Sequence, residues 1–103
     1  MERIETTILR NLIYDEEFSR KVIPFIPLDY FEQRIERVIF EEISKFIVKY
    51  GSSITTEALA IQLEDRDDLN ETEIKESRDA VSLFTDDKVD NQWLVDTTEK
   101  WCR

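Results

Sequence analysis

Phe31-Glu32-Gln33-Arg34-Ile35-Glu36-Arg37-Val38-Ile39-Phe40-Glu41-Glu42-Ile43-Ser44-Lys45-Phe46-Ile47-Val48-Lys49-Tyr50 carries the clearest periodicity in the chain. Phe31, Ile35, Val38, Ile39, Ile43, Phe46, Ile47 and Tyr50 advance by 4, 3, 1, 4, 3, 1 and 3 residues. A helix turns once every ~3.6 residues, so these steps keep one apolar stripe on one face for about five turns. Arg34, Arg37, Glu41 and Lys45 occupy the remaining surface, and Val48 points almost opposite the stripe. Gly51 follows at once, the residue type best able to close a helix in the left-handed conformation. The spacing predicts a helix from about 30 to 50 that forms the spine of the core.

Upstream, Ile4, Ile8, Leu9, Leu12 and Ile13 recur at helical spacing and predict a first helix over 2–13. Asp15 suits an N-cap, Glu16 and Glu17 suit the positive end of a helix dipole, and Tyr14 is placed to staple that turn. The second helix carries Phe18, Val22 and Ile23 until Pro24 limits it, and Pro27 with Asp29 marks a turn. Downstream, Thr55 or Thr56 caps a short helix with Ala58, Leu59, Ile61 and Leu63. Asn70 followed by Glu73 forms a capping box for a fifth helix, on which Ile74, Ser77, Val81 and Phe84 share a face. Asp90 caps a sixth, with Trp93, Leu94, Thr97 and Trp101 along one side. That helix reaches Arg103 with no stop signal, so it reads as cut rather than finished. The expected organisation is a helical head over 1–89 and, over 90–103, the start of a truncated helix.

Composition agrees with helices. The 103 residues hold Gly 1 and Pro 2, too few turn formers for a β-sandwich. Their length allows one core. The fold class is therefore all-α, a compact bundle of about six helices. The formal net charge is −10, with 8 basic and 10 acidic residues in 1–50 and 6 and 14 in 51–103. Such a chain as a whole is repelled by nucleic-acid phosphates and by anionic membrane surfaces, so neither direct DNA binding nor membrane association is expected. Apolar runs are too short for a membrane span, and the N-terminus has no secretion signal. The single cysteine, Cys102, forms no internal disulfide, in keeping with a reducing cytoplasm.

Catalytic chemistry finds little purchase. Histidine is absent, and Cys102 has no histidine to activate it. A phosphate-binding loop needs several glycines, so neither a nucleotide nor another cofactor is expected in this chain. A calcium loop starting at Asp65 would place Asp67 and Glu76 well. It would also put Leu69 where an oxygen ligand belongs and Asn70 where the turn needs glycine, so a solvated acidic loop is the better reading. Glu41-Glu42 and Asp86-Asp87 are adjacent pairs that diverge rather than face one another across a cleft. No catalytic and no metal-binding residues are assigned. The candidate contact residues for other proteins are Val48, Trp93, Leu94 and Trp101, apolar side chains at positions where a partner could cover them.

Several runs resemble one family. Ile8-Leu9-Arg10-Asn11-Leu12-Ile13-Tyr14-Asp15, Phe18-Ser19, Val22, Pro24 and Asp29-Tyr30-Phe31-Glu32 resemble the start of the replicative DNA helicases of T-even-type phages, part of the wider DnaB class. Glu71-Thr72-Glu73, Trp93-Leu94-Val95 and Thr98-Glu99-Lys100 follow in the family's order and at similar spacing. The resemblance implies a helical head in a DnaB-type collar, where heads assemble above a motor ring and receive the primase. In the family a helical hairpin pairs two heads; only its first part, from about Asp90, would be present here. The resemblance further implies a hexameric parent whose motor binds ATP and Mg, acting in the cytoplasm of an infected host. This chain alone is then expected to be a monomer or weak dimer. The competing reading is a free-standing acidic phage protein that inhibits a host factor as a DNA mimic, suggested by the net charge and by eight acidic against three basic residues from Glu64 to Asp79.

Overall fold

In the computed structural model, which describes residues 2–102, the chain forms six α-helices and no strand among those residues. They are α1 (Ile4–Tyr14), α2 (Glu16–Val22), α3 (Arg34–Tyr50), α4 (Thr56–Glu64), α5 (Glu71–Ser82) and α6 (Asn91–Trp101). Two 3₁₀ turns, Ile23–Phe25 and Leu28–Tyr30, link α2 to α3. The Cα radius of gyration is 12.8 Å, close to the ~13 Å of a folded domain of about 100 residues. The expected all-α bundle is what the chain forms.

Four helix starts, those of α2, α4, α5 and α6, are set by side-chain caps, while α1 and α3 begin without one. Asp15 accepts from the Phe18 amide at 3.0 Å, Thr55 from Ala58 at 3.1 Å and Asp90 from Trp93 at 2.8 Å. Asn70 and Glu73 form the reciprocal box, at 2.8 and 3.1 Å. Each satisfies amide groups the helix itself leaves free. Gly51 closes α3 at φ 72°, and its amide donates to Ile47 O at 2.8 Å.

Helix α3 is the central element and packs against α1, α4 and α5. Val38, Ile39 and Ile43 of the stripe are almost wholly buried. Three details differ from the periodic reading. The helix begins at Arg34, not near 30, because residues 28–30 form a 3₁₀ turn and residues 31–33 are non-helical. Phe31 is nonetheless fully buried from outside the helix, edge-on to Tyr30 at 4.9 Å and tilted against Phe40 at 5.1 Å. Tyr50 stands exposed, whereas Phe40, outside the stripe, is buried. Neighbours on more than one side of α3 widen the covered surface beyond one stripe.

That wider coverage buries Glu36 and Glu42, and each is paired. Arg3 Nη1 reaches Glu36 at 2.7 Å; Arg66 and Lys45 reach Glu42 at 3.0 and 2.9 Å. Isolated buried carboxylates would be costly, so these partners are part of the core's architecture. A third buried charge lies on α1. Arg10 donates to Glu2 through Nε at 3.0 Å and, through Nη1, to Asp87 O at 2.7 Å and Thr85 O at 3.3 Å. It thereby fastens α1 to the segment joining α5 and α6.

Candidate protein-interaction surface

Helix α6 packs on α2 and buries Leu94, Val95 and Thr98. These are positions i, i+1 and i+4, a compact patch on one side of the helix. Leu94 is 0% exposed and belongs to the core, so it is no contact residue for another protein. The expected face lies about one residue's rotation from the true one. The two indoles flank the buried side, which Leu94 and the smaller Val95 and Thr98 define. Trp93 and Trp101 remain about half exposed, as does Thr97 in part. Of the four candidates, Val48 (79%), Trp93 (52%) and Trp101 (57%) are exposed. Trp93 and Trp101 share α6, while Val48 belongs to α3.

Further exposed apolar side chains are Phe25 and Leu28 in the 3₁₀ turns, Ile61 on α4 and Leu83 after α5. Ile61 was legible: it lies midway between Leu59 and Leu63, which are four apart and both buried, and so faces away from them. Phe25 and Leu28 had no helical period to reveal them. The end of α6 closes near the Leu28–Tyr30 turn. Burial pushes the Tyr30 hydroxyl up to about 12, with Cys102 and Glu5 adding to the shift. Burial also pushes the Cys102 thiol up, the wrong direction for a thiolate nucleophile.

The acidic loop between α4 and α5 is partly neutralised. Arg66 grips Asp68 with Nε at 2.8 Å and Nη2 at 2.6 Å, holding that carboxyl down to about 2. Arg34 donates to Asp68 O at 3.0 Å and to Glu73 at 2.7 Å. Arg78 pairs with Glu64, and Lys75 with Asp79 at 2.9 Å. Asp65, Asp67, Glu71 and Glu76 carry no ion pair among the described residues. Glu76 lies well inside α5, away from the loop. No cluster of three or more metal-ligating side chains occurs among the described residues.

Fold and surface define an all-α domain that presents exposed indoles on α6 and, among the described residues, carboxylates without an ion pair in the α4–α5 loop and on α5. The chain is similar to a DnaB-like replicative helicase of Enterobacteria phage T4, with 33% identity over 94 residues, 91% of this chain and 20% of that protein. The resemblance read from its opening and closing motifs is thereby borne out across nearly the whole chain. This chain spans about a fifth of that relative's length. No protein-family model matches it. Among the described residues, no helix is long and apolar enough to cross a membrane.

Proposed function

We propose that this chain is the non-catalytic N-terminal head of a phage replicative DNA helicase, acting in subunit assembly and primase docking. One observation carries the reading: the similarity to a replicative helicase extends over 91% of this chain while accounting for 20% of the relative. A domain's worth of that protein is represented, and its helices here are spent on building a core. ATP and Mg would belong to the motor of the longer protein, in the cytoplasm of the infected cell. Trp93 and Trp101 on α6 are the surface for neighbouring heads. The unpaired carboxylates Asp65, Asp67, Glu71 and Glu76 offer charge to a basic primase surface, which acts mostly on association rate and weakens with salt.

The test is deletion of residues 1–90 from the helicase that carries them. Primer synthesis on helicase-bound DNA is expected to fall more than DNA-stimulated ATP hydrolysis, because the head supplies no nucleotide ligand. Both assays are run where light scattering confirms hexamers, since a weakened ring would depress the two together. Undiminished primase stimulation by the headless hexamer would refute the docking role.

A further inference from the structure

Helices α4 and α5 pack against each other and leave an open groove of about 660 Å³ between them. Ala60 of α4 and Ile74 of α5 supply apolar lining, and each is only partly buried. Both walls are fixed at their starts, α4 by the Thr55 cap and α5 by the Asn70–Glu73 box. The groove is therefore formed before any partner arrives. Charge along this unit is one-sided. Arg66, Lys75 and Arg78 are its only cations from 56 to 82, and each is committed within the chain. Arg66 pairs with Glu42 and Asp68, Lys75 with Asp79, and Arg78 with Glu64. Glu57 and Glu71, one on each helix, line the groove with no ion pair among the described residues. Asp65 and Asp67 in the joining loop are likewise without one. The surplus is carboxylate.

We propose that this groove docks a basic, amphipathic peptide segment of another protein. An apolar side chain of that segment lies between Ala60 and Ile74, and flanking Lys or Arg side chains meet Glu57 and Glu71. Charge complementarity selects the occupant. Free carboxylates on both walls favour a guanidinium or ammonium, whereas an acidic segment would have to break Lys75–Asp79 or Arg78–Glu64 to reach a cation. The apolar lining adds the need for an anchor, which a purely cationic chain lacks. A second copy is a poor occupant, because it brings a net charge of −10 of its own. The inference adds to the docking role proposed above the place where a partner's anchor sits, and rests on that reading only for its part in replication.

The experiment titrates the ¹⁵N-labelled full chain with a capped peptide of Lys and Arg surrounding a central Leu-Phe. Amide shifts are expected to concentrate at Ala60, Glu71, Ile74 and Lys75, and affinity to fall as salt rises. Glu57→Lys combined with Glu71→Lys reverses two exposed charges and is expected to weaken binding about tenfold or more, with the helical spectrum retained. Ala60→Gln fills the groove without altering charge and is expected to weaken binding about threefold or more. The proposal is overturned by no shifts at about 1 mM peptide, by shifts elsewhere, or by undiminished binding to both variants. Equal binding of a peptide with Glu replacing every cation, or with Ser-Ser replacing Leu-Phe, overturns it as well. Groove shifts that appear on concentrating the chain without peptide would assign the surface to a second copy and overturn it too. A silent groove beside a headless hexamer that has lost primase stimulation would strike this inference alone. A responsive groove beside undiminished stimulation would strike the docking role alone.

Discussion

Glu36 and Asp68 answer to pH in opposite senses because their surroundings differ. Burial pushes the Glu36 carboxyl above the usual glutamate range, and the hydrogen bond from Arg3 recovers only part of that shift. A raised folded value means its contribution to stability is fully present below the unfolded value and is lost as pH rises through the folded one. Asp68 is held down to about 2 by Arg66. Its contribution is present above the ordinary aspartate value and is lost as pH falls towards about 2. Thermal melts followed by circular dichroism across this range separate the two. Asp68→Asn is expected to flatten the loss of stability below about pH 4, and Glu36→Gln to remove the decline seen as pH rises across the raised value. An unaltered acid limb in Asp68→Asn would show that the Arg66 grip is not maintained in solution. Leu94 and Trp93 are neighbours with opposite roles. Leu94→Ala should cost about 2–5 kcal/mol, as for a wholly buried leucine, while Trp93→Ala should cost less than about 1 kcal/mol. Urea unfolding that ranked them the other way would place the indole in the core.

The caps show what a single element can reveal about itself. Asp15, Thr55, Asn70 and Asp90 act on amides three residues away, so their chemistry is complete in the local sequence. Asn70→Ala should therefore cost about 1 kcal/mol in urea unfolding, from loss of a box that serves two amides. Which face a helix buries is a different matter, since it depends on what neighbours it. Phe40 is buried because α3 is covered on more than one side, and no periodicity within α3 contains that information. On α6 the indoles carry more apolar surface than Val95 and Thr98, yet it is the smaller pair that packs towards α2. Thr98 Oγ1 and Ser19 Oγ are buried without a hydrogen-bond partner among the described residues. Thr98→Val keeps the shape and removes one such hydroxyl, so it should be neutral or stabilising by up to about 1 kcal/mol. A loss exceeding that would mean the hydroxyl has found a partner.

Across the whole molecule, charge and exposed aromatic surface oppose each other. The net charge of −10 resists self-association, while Trp93 and Trp101 favour it. The chain alone is expected to be a monomer or weak dimer, and added salt should strengthen rather than weaken pairing by screening the repulsion. Light scattering that reported a six-fold ring, or a dimer dispersed by moderate salt, would contradict this balance. The candidate surface was only partly legible for the same reason as the helix faces. Val48 announced itself by opposing a long stripe, whereas Phe25 and Leu28 lie in turns that have no period. The clamp made by Arg10 also bears on how the molecule is made. Its carbonyl partner on Asp87 lies 77 residues further along the chain. At about 5–20 residues per second, a ribosome would deliver that acceptor roughly 4–15 s after Arg10 itself. Throughout that interval the guanidinium must stay hydrated and α1 cannot settle into its final burial. Leu94, which follows, is needed to fill the core beside α2. Closure of the nascent domain is therefore a late event, timed by the emergence of its last helix.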